Sequence, residues 1–444
     1  MPSAPTSPHR RDAMGLGLAA MNKLAGLPVL DKLGLRQATE SAVYHGAKAG
    51  FQTAGAVSRR FPRQRGQGGA ARQRPASRSG VFDLTPTDDQ QMMVDVVSEF
   101  AAEVVRPAAE KADESTEAPG EVLAQTTDLG LTLVGVPEEL GGLSAERSAT
   151  TGVLVGEALA HGDMGIAVAC LAPNAVATAL ASWGTADQQA TYLGAFTGDD
   201  VPAAALAVAE PHAFFDPFAL RTTATRSAGG FRLDGVKAAV VRGDRAELFV
   251  VAAHLEGTGP ALFLLESGTP GVVVEAEPSM GVRAAGLGRL VLDGVEVPED
   301  ALLGDGDPAV YADSVRRARI AWCSLALGTG RAVLDYVIPY VKERKAFGEP
   351  VAHRQSVAFM VANIGIELEG MRLATLRAAS RADQGLDFAR ETAVARRLCS
   401  EHGMRIGTDG VQLLGGHGFV KEHPVERWYR DLRAIGVMEG GLLV

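Results

Sequence analysis

The segment from residue 411 to 441 concentrates side chains that can take part in chemistry. It reads VQLLGGHGFVKEHPVERWYRDLRAIGVMEGG. Gly415 and Gly416 follow Gln412 closely, and glycines let a backbone approach a ligand. Glu439 follows a short apolar run, and apolar surroundings raise the pKa of a carboxyl group towards that of a general base. The segment therefore offers a ligand-binding loop and a candidate base, although a helix end, a loop and a surface glutamate would give the same pattern.

A second candidate site lies where a predicted helix ends near residue 344. Arg344 stands close to Lys342 and Lys345. A guanidinium group at this place can hold a pyrophosphate through two parallel hydrogen bonds. It can equally complement the negative end of the helix dipole. The residues alone leave both interpretations open.

The remaining polar residues show no pattern typical of a metal or P-loop site. The histidines are scattered, and the Asp305–Asp307 pair lacks the other ligands of a calcium loop. The glycine-rich stretches lack the Gly-Lys-Ser/Thr ending of a P-loop. We therefore predict no metal. The cysteines are odd in number and far apart, which argues against disulfides and indicates a reducing compartment: Cys170, Cys323 and Cys399.

The elements that must position these residues fall into three blocks. With 444 residues, of which 46% are hydrophobic, we expect two or three domains. Apolar periodicity predicts a helical domain over 81–200 and a helical bundle over 304–444. Short β-rich runs predict an antiparallel β-barrel or sandwich over 201–303, with hairpin turns at Gly229-Gly230 and Asp234-Gly235. The whole is an α+β layout. No stretch approaches about 18 uncharged apolar residues, so a membrane-spanning helix is not expected.

The first 80 residues differ in charge from the remainder. Residues 1–80 carry 13 Lys/Arg and 3 Asp/Glu, whereas the remainder is acidic. Patterns in 13–57 predict amphipathic helices that either contact an anionic membrane surface or dock loosely on the body; a transit peptide has a similar composition. Residues 59–80 predict a disordered linker. The acidic body argues against nucleic acid. We expect a cytoplasmic protein whose extension allows peripheral membrane contact.

Three motifs in this order of domains resemble the acyl-CoA dehydrogenase family, a similarity that covers about residues 84–441. The run 344–348 with Gln355 resembles the element R-x-x-F-G…Q. The run 412–419 resembles Q-x-L-G-G-x-G-F, and the run 424–440 resembles the segment that ends in Y-E-G-T. Several spaced matches in the right order are more specific than any one of them.

The resemblance implies an FAD-dependent oxidoreductase of fatty acid metabolism that introduces an α,β double bond into an acyl-CoA or acyl-carrier thioester. It implies that electrons pass to an electron-transfer flavoprotein. By this resemblance Glu439 matches the α-proton base. Some members place the base on an earlier helix, and the corresponding place here, near Ala318, holds no carboxylate. Arg319 matches a residue near the CoA moiety, although a salt bridge would also explain it. The implied FAD-binding residues, which reach a neighbouring subunit of a homo- or hetero-oligomer, are Arg344, Phe347, Gln355, Gln412, Gly415 and Gly416.

The sequence departs from the family pattern in the β domain. Ala209 stands where relatives have a threonine that bonds the flavin, and Phe215 stands where they have a phosphate-binding serine. Ala239 and Val241 replace an aromatic residue and a hydroxyl at the flavin ring. These departures support an alternative function, in which the chain is a degenerate partner subunit that completes a neighbour's FAD site.

Overall fold

The computed structural model describes residues 84–142, 148–198 and 200–441. The predicted helices of 13–57 and the predicted linker of 59–80 lie outside these described residues. Along the described chain, helices are followed by strands and then by helices, which confirms the predicted α+β layout.

The N-terminal helices form one wall of the main core. Helix α1 begins with a capping box, in which Gln90 N donates to Thr87 Oγ1 (3.2 Å) and Thr87 N donates to Gln90 Oε1 (3.0 Å). A π-helical turn joins α1 to α2. The described helices of this part are α1 (Asp88–Phe100), α2 (Arg106–Ser115), α3 (Gly120–Asp128), α4 (Ala149–Gly162), α5 (Met164–Trp183) and α6 (Ala186–Phe196).

Helix α5 corrects one expectation from the sequence. By length and composition alone, this helix could cross a membrane. The prediction that the chain contains no such stretch was therefore wrong. The buried share of its apolar window is 67%, and a core helix passes the same test. Asp163 caps the helix by accepting a hydrogen bond from Ile166 N at 3.0 Å. Helix α5 therefore presents small apolar side chains to the protein interior.

The middle of the chain folds into a mixed, sandwich-like sheet. The strand order is β6-β7-β3-β2-β4-β5-β8, and β1 pairs with β4. The sheet does not close into a barrel, so of the two predicted forms the sandwich is confirmed. Its strands are β1 (Ala204–Ala207), β2 (Thr223–Ser227), β3 (Gly230–Val240), β4 (Leu248–Leu255), β5 (Gly259–Glu266), β6 (Val272–Ala276), β7 (Gly288–Pro298) and β8 (Leu302–Leu303).

Two details of the predicted sheet were wrong. Strands β1 and β2 both pair with β4 in parallel, so the pairing is not antiparallel throughout. Asp234-Gly235 is not a hairpin turn but a register shift inside β3. Gly235 has a φ of +151°, and a Cβ there would lie 2.7 Å from Thr222 Oγ1. The glycine therefore permits a close approach of two chain segments rather than a reversal of the chain.

The C-terminal part is helical and contains the longest helix described. Helix α7 (Pro308–Glu343) packs against both α4 and α9, so one helix links the N-terminal and C-terminal parts of the core. A tight hairpin of β9 (Lys345–Ala346) and β10 (Glu349–Pro350) follows it. The remaining α-helices described are α8 (Gln355–Asp383), α9 (Ala389–Leu414) and α10 (Val425–Asp431).

Candidate active site

Glu439 lies in a buried turn near the end of the described chain. The residue is only 7% exposed, and its backbone φ of 57° is left-handed. Gly440 follows with a φ of +109°, and a Cβ there would lie 2.6 Å from Pro217 Cδ. Gly441 N donates to Phe215 O at 2.8 Å. The turn is thus attached to the β-domain loop that carries Phe215, and only glycine fits at position 440.

Two arginines hold the carbonyl groups of this turn. Arg319, on α7, donates from Nε and Nη2 to Glu439 O at 3.1 and 2.9 Å. Arg396, on α9, donates from Nη2 to Met438 O at 2.9 Å and also to Gly440 O. Three successive carbonyls therefore point at two guanidinium groups. The structure places Arg319 behind the turn, and its role near the CoA moiety stays a prediction.

The surroundings of Glu439 set its basicity. Burial raises the pKa of its carboxyl group, while the charges of Arg396, Arg319 and Lys237 and a hydrogen bond from Trp322 lower it. The burial effect is the larger, so the pKa lies above its usual value. Within the described residues, Glu439 Oε2 has no hydrogen-bond partner. A raised pKa and a free carboxylate oxygen are what a general base needs.

An apolar cavity of about 240 Å³ lies against Glu439. It is lined by α4, α5 and α7 and by residues of β1 and β3. Glu439 is the only carboxylate among the described lining residues, and Ala318 contributes no acid. A base at the wall of an apolar cavity is shielded from water, which strengthens its interaction with a bound substrate. The lining residues around the base are Ala318, Ala321, Trp322, Met438 and Glu439.

The β-domain side of the cavity holds three of the four departures from the family pattern. Ala209, Ala239 and Val241 line the cavity and offer no hydroxyl or aromatic group. Phe215 is instead buried in the apolar core. Ala239 adopts a φ of 51°, and its N–H donates to Glu277 Oε2 at 2.6 Å. This wall therefore provides shape and apolar contact, and its side chains provide no hydrogen bond.

A buried ion pair lies behind the same wall. Lys237 Nζ donates to Glu210 Oε1 at 2.9 Å and to Val208 O at 3.2 Å. Arg221 N donates to Glu210 Oε2 at 2.8 Å, and Thr222 N donates to Glu210 Oε1 at 2.9 Å. Burial opposes ionisation of Glu210, but Lys237 and these N–H groups hold its pKa at about 2. Burial lowers the pKa of Lys237 to about 8.

The sequence analysis missed the Glu210–Lys237 pair because its members are 27 residues apart. The only available signal was a lysine in a strand that is otherwise predicted to be buried, which requires an acidic partner. Nothing in the spacing identifies Glu210 as that partner. The pair fixes the strand that carries Ala239 and leads into Val241, and thus shapes the cavity wall.

A separate crevice of about 460 Å³ brings together four predicted FAD-binding residues. Its polar groups come from the end of α7 and the end of α9, where Gly415 has a left-handed φ of 59°. Tyr340 OH bonds to Leu414 O at 3.3 Å and to His417 Nδ1 at 2.9 Å, and both side chains line the crevice. The sequence analysis had assigned His417 no role. The four predicted residues in the crevice are Arg344, Gln412, Gly415 and Gly416.

Phe347 and Gln355 are not among the lining residues. Phe347 is 95% exposed, has a φ of 56° in the β9–β10 hairpin, and lies under the Arg354 guanidinium at 5.6 Å. Gln355 begins α8 directly before Ser356, which does line the crevice. The cofactor roles of these six residues stay predictions. Within the described residues, no cluster of His, Cys, Asp or Glu could hold a metal ion.

The helical–β–helical fold with a buried carboxylate beside an apolar cavity agrees with the flavin-dependent dehydrogenases that the sequence resembles. Sequence models of the acyl-CoA dehydrogenase family match the chain in all three parts. The N-terminal domain matches at 87–199, the middle domain at 205–295 and the C-terminal domain at 309–441. The chain belongs to the acyl-CoA dehydrogenase family, and the predicted family and enzyme class are confirmed.

Individual relatives agree with this assignment. The chain is 31% identical over 363 residues to an acyl-CoA dehydrogenase of Bacillus subtilis (strain 168), covering 80% of this chain and 95% of the relative. It is 31% identical over 361 residues to the mitochondrial short-chain specific acyl-CoA dehydrogenase of Bos taurus, covering 80% and 87%.

Two solved structures are similar along most of the chain. Butyryl-CoA dehydrogenase from Megasphaera elsdenii has a TM-score of 0.75 and 28% identity, covering 82% of this chain and 97% of that chain. A structure described as an electron transferring flavoprotein of Acidaminococcus fermentans has a TM-score of 0.76, 28% identity and the same coverage. The predicted fold class is confirmed by these likenesses.

Proposed function

We propose that the protein is an FAD-dependent dehydrogenase that introduces an α,β double bond into an acyl-CoA, with Glu439 as its base. The observation that carries the proposal is the free Oε2 of Glu439, which is the one carboxylate residue among the described residues that line the apolar cavity. This carboxylate occupies the position of the α-proton base in the family pattern.

The chain's own residues supply the proton chemistry. Glu439 removes the proton from the carbon next to the thioester carbonyl, and its raised pKa makes it a stronger acceptor for that proton. The apolar lining excludes water from the developing negative charge. FAD, when bound, supplies the acceptor for the hydride that leaves the β-carbon.

The residues of the crevice fit FAD more fully than the residues of the cavity wall do. In the crevice, the Arg344 guanidinium and the Gln412 amide offer donors, and Gly415 and Gly416 leave room above their backbone. A Cβ on either glycine would meet nothing within 4 Å. This donor set suits a pyrophosphate or another polar part of a dinucleotide. On the cavity side, the fit rests on the apolar wall alone.

We infer that the chain works in an oligomer in which this crevice serves a neighbour's cofactor. Large apolar side chains are exposed in the segments that follow Arg344 and Gly416 in sequence and on helix α8. Phe347 is 95% exposed and Phe419 is 89% exposed. Phe359, Ile366 and Leu373 repeat every seven residues of α8 and are also exposed. Exposed apolar surface of this kind is typical of protein interfaces. An electron-transfer flavoprotein is the proposed electron acceptor.

The decisive experiment uses the full chain purified alone. Its visible spectrum should show bound flavin, and the flavin band should bleach on anaerobic addition of butyryl-CoA. Glu439→Gln should retain the flavin and lose the bleaching. Glu401→Gln, which changes an exposed glutamate of α9 (57% side-chain exposure), should behave as the unmodified protein. Bleaching that persists in Glu439→Gln would exclude Glu439 as the base.

A second candidate function is favoured by the apolar wall of Ala209, Ala239 and Val241. In this function the chain lends its crevice to the FAD of a homologous subunit and holds no flavin in its own cavity. A colourless protein that gains flavin only when mixed with a second homologue would support this candidate and refute the stand-alone enzyme.

A further inference from the structure

The turn that carries Glu439 is held by buried positive charge that has no carboxylate partner of its own. Arg396 is only 5% exposed. Within the described residues, neither Arg396 nor Arg319 forms an ion pair with an aspartate or glutamate. Burial lowers the pKa of both guanidinium groups, and the charge of Glu439 raises it again. A buried unpaired charge is costly, so Arg396 in particular needs a compensating role.

We propose that Arg396 is a positioning residue for the base, which locks the backbone of the Glu439 turn and keeps its carboxylate ionised. This inference rests on the proposed function of Glu439. Arg396 does not line the described cavity and acts on the reaction only through Glu439.

The hydrogen bonds show how Arg396 fixes the turn. It bridges the carbonyls on either side of the base, those of Met438 and Gly440. A residue other than glycine rarely adopts a left-handed conformation, and Glu439 keeps it only because the surroundings impose it. If the bridge is removed, the turn can relax, and the carboxylate then moves away from the cavity.

The charged groups around Glu439 indicate that Arg396 also helps to keep the Glu439 carboxylate ionised. Arg319, Tyr311, Trp322 and Cys323 face this region from α7, and Lys237 faces it from β3. Asp216 acts on Arg319 and Tyr311 from the loop before β2. Among the groups that oppose the burial effect on the pKa of Glu439, Arg396 has the largest influence. Lys237 is already neutralised by Glu210 at 2.9 Å.

The test compares Arg396→Gln and Arg396→Lys with Arg397→Gln in the holoenzyme. Arg397 is the next residue on α9, but its side chain is 61% exposed and pairs with Glu401 at 3.2 Å. The first measurement is kcat/KM for butyryl-CoA against pH. A base is active when ionised, so its pKa sets the acid limb of this profile. The second is the infrared titration of the Glu439 carboxyl in substrate-free protein, assigned by its loss in Glu439→Gln.

We expect Arg396→Gln to move both the acid limb and the infrared titration to higher pH by about one unit, a tenfold change in the ionisation equilibrium. Arg396→Lys keeps the charge but cannot form the same forked bridge. The acid limb of the Arg396→Lys protein should therefore stay at the same pH, while its kcat falls roughly tenfold or more. Arg397→Gln should change neither quantity.

Two results would overturn the inference. The first is an Arg396→Gln protein with a lower melting temperature but an unchanged acid limb and infrared titration, since that is a purely structural role. The second result applies if Arg396→Gln does not fold: an Arg396→Lys protein whose kcat is unchanged would also overturn the inference. The proposed function fails separately, because it falls if the protein purified alone holds no flavin or if Glu439→Gln remains active.

Discussion

The cavity wall of the β domain and the crevice of the C-terminal helices offer a flavin two different kinds of surface. The wall is apolar, with Ala209, Ala239 and Val241 in place of hydrogen-bonding side chains, and its charged groups lie buried behind it. The crevice presents Arg344 and Gln412 openly. The wall thus offers shape and apolar contact, whereas the crevice offers a charged group and hydrogen-bond donors. Each half predicts a different response to mutation.

The largest effect should come from breaking the ion pair behind the wall. Lys237→Met leaves Glu210 as a buried carboxylate without its partner, which should lower the free energy of unfolding by about 3–5 kcal/mol. Urea unfolding measures the loss. The control is Arg232→Gln on the same strand, whose pair with Asp234 at 3.0 Å is half exposed and should contribute little to stability because solvent screens it. Equal losses in both variants would contradict the role given to the buried pair.

The same pair predicts how the wall responds to acid. The pKa of Glu210 is about 2 in the folded protein, below the ordinary glutamate value of 4.5. A lowered folded-state pKa stabilises the protein above about pH 4.5, and this contribution is lost as the pH falls towards 2. Glu210→Gln should therefore show a flatter dependence of the unfolding free energy on pH in this window. An unchanged slope would mean that the carboxylate is not held ionised.

The crevice should respond in binding rather than in stability. Arg344→Ala should weaken FAD binding by about 1.5–3 kcal/mol, or roughly 10- to 150-fold, because a charge-assisted contact is removed. Titration of the apoprotein with FAD measures this change. Lys342→Ala, which removes a nearby exposed charge, separates a specific contact from a general loss of positive potential. Similar losses in the two variants would remove Arg344 from the binding site.

Restoring a hydroxyl to the wall should have a smaller effect. Ala209→Thr should tighten FAD binding by about 0.5–1.5 kcal/mol, or roughly two- to tenfold, through one added hydrogen bond. Ala209→Val provides the same branching without the hydroxyl and should not tighten binding. If both substitutions change FAD binding by the same amount, the added hydroxyl forms no hydrogen bond. The wall would then be limited by space and not by the missing donor.

Removal of the basic extension, residues 1–80, should have the smallest effect on the active site. We propose that the extension provides peripheral membrane contact and takes no part in catalysis. Deletion of residues 1–80 should leave kcat/KM unchanged and reduce cosedimentation with vesicles that contain phosphatidylserine. Neutral phosphatidylcholine vesicles provide the control. Equal cosedimentation of the full and shortened proteins would refute membrane contact through 13–57.

Features encoded in short stretches of sequence were predictable. The glycine loop at Gly415 and Gly416 lies at a helix end that periodicity marks, and the apolar run before Glu439 indicates its burial. The order of helices and strands also follows from local patterns. Asp234-Gly235 shows the limit of such signals, since the same dipeptide serves a turn or a register shift, and Thr222 across the sheet decides between them.

Features that depend on distant partners were not predictable. Arg396 lies 42 residues from Met438, and Arg319 lies 120 residues from Glu439. Both stand on helices among other arginines, where a surface salt bridge explains them equally well. Only the packing of α7 and α9 against the turn distinguishes these two from their neighbours. The parallel pairing of β1 and β2 with β4 likewise depends on contacts that turn signals do not encode.

The left-handed turn at Glu439 also has a consequence for how the enzyme becomes competent during folding. Its contacts come from α7, from α9 and from the loop at Phe215, so it joins segments that are far apart in the chain. Contacts of long sequence separation tend to form late, after helices and hairpins. Catalytic competence should therefore lag behind the recovery of helical signal during refolding, and collapsed intermediates should be unable to abstract a proton.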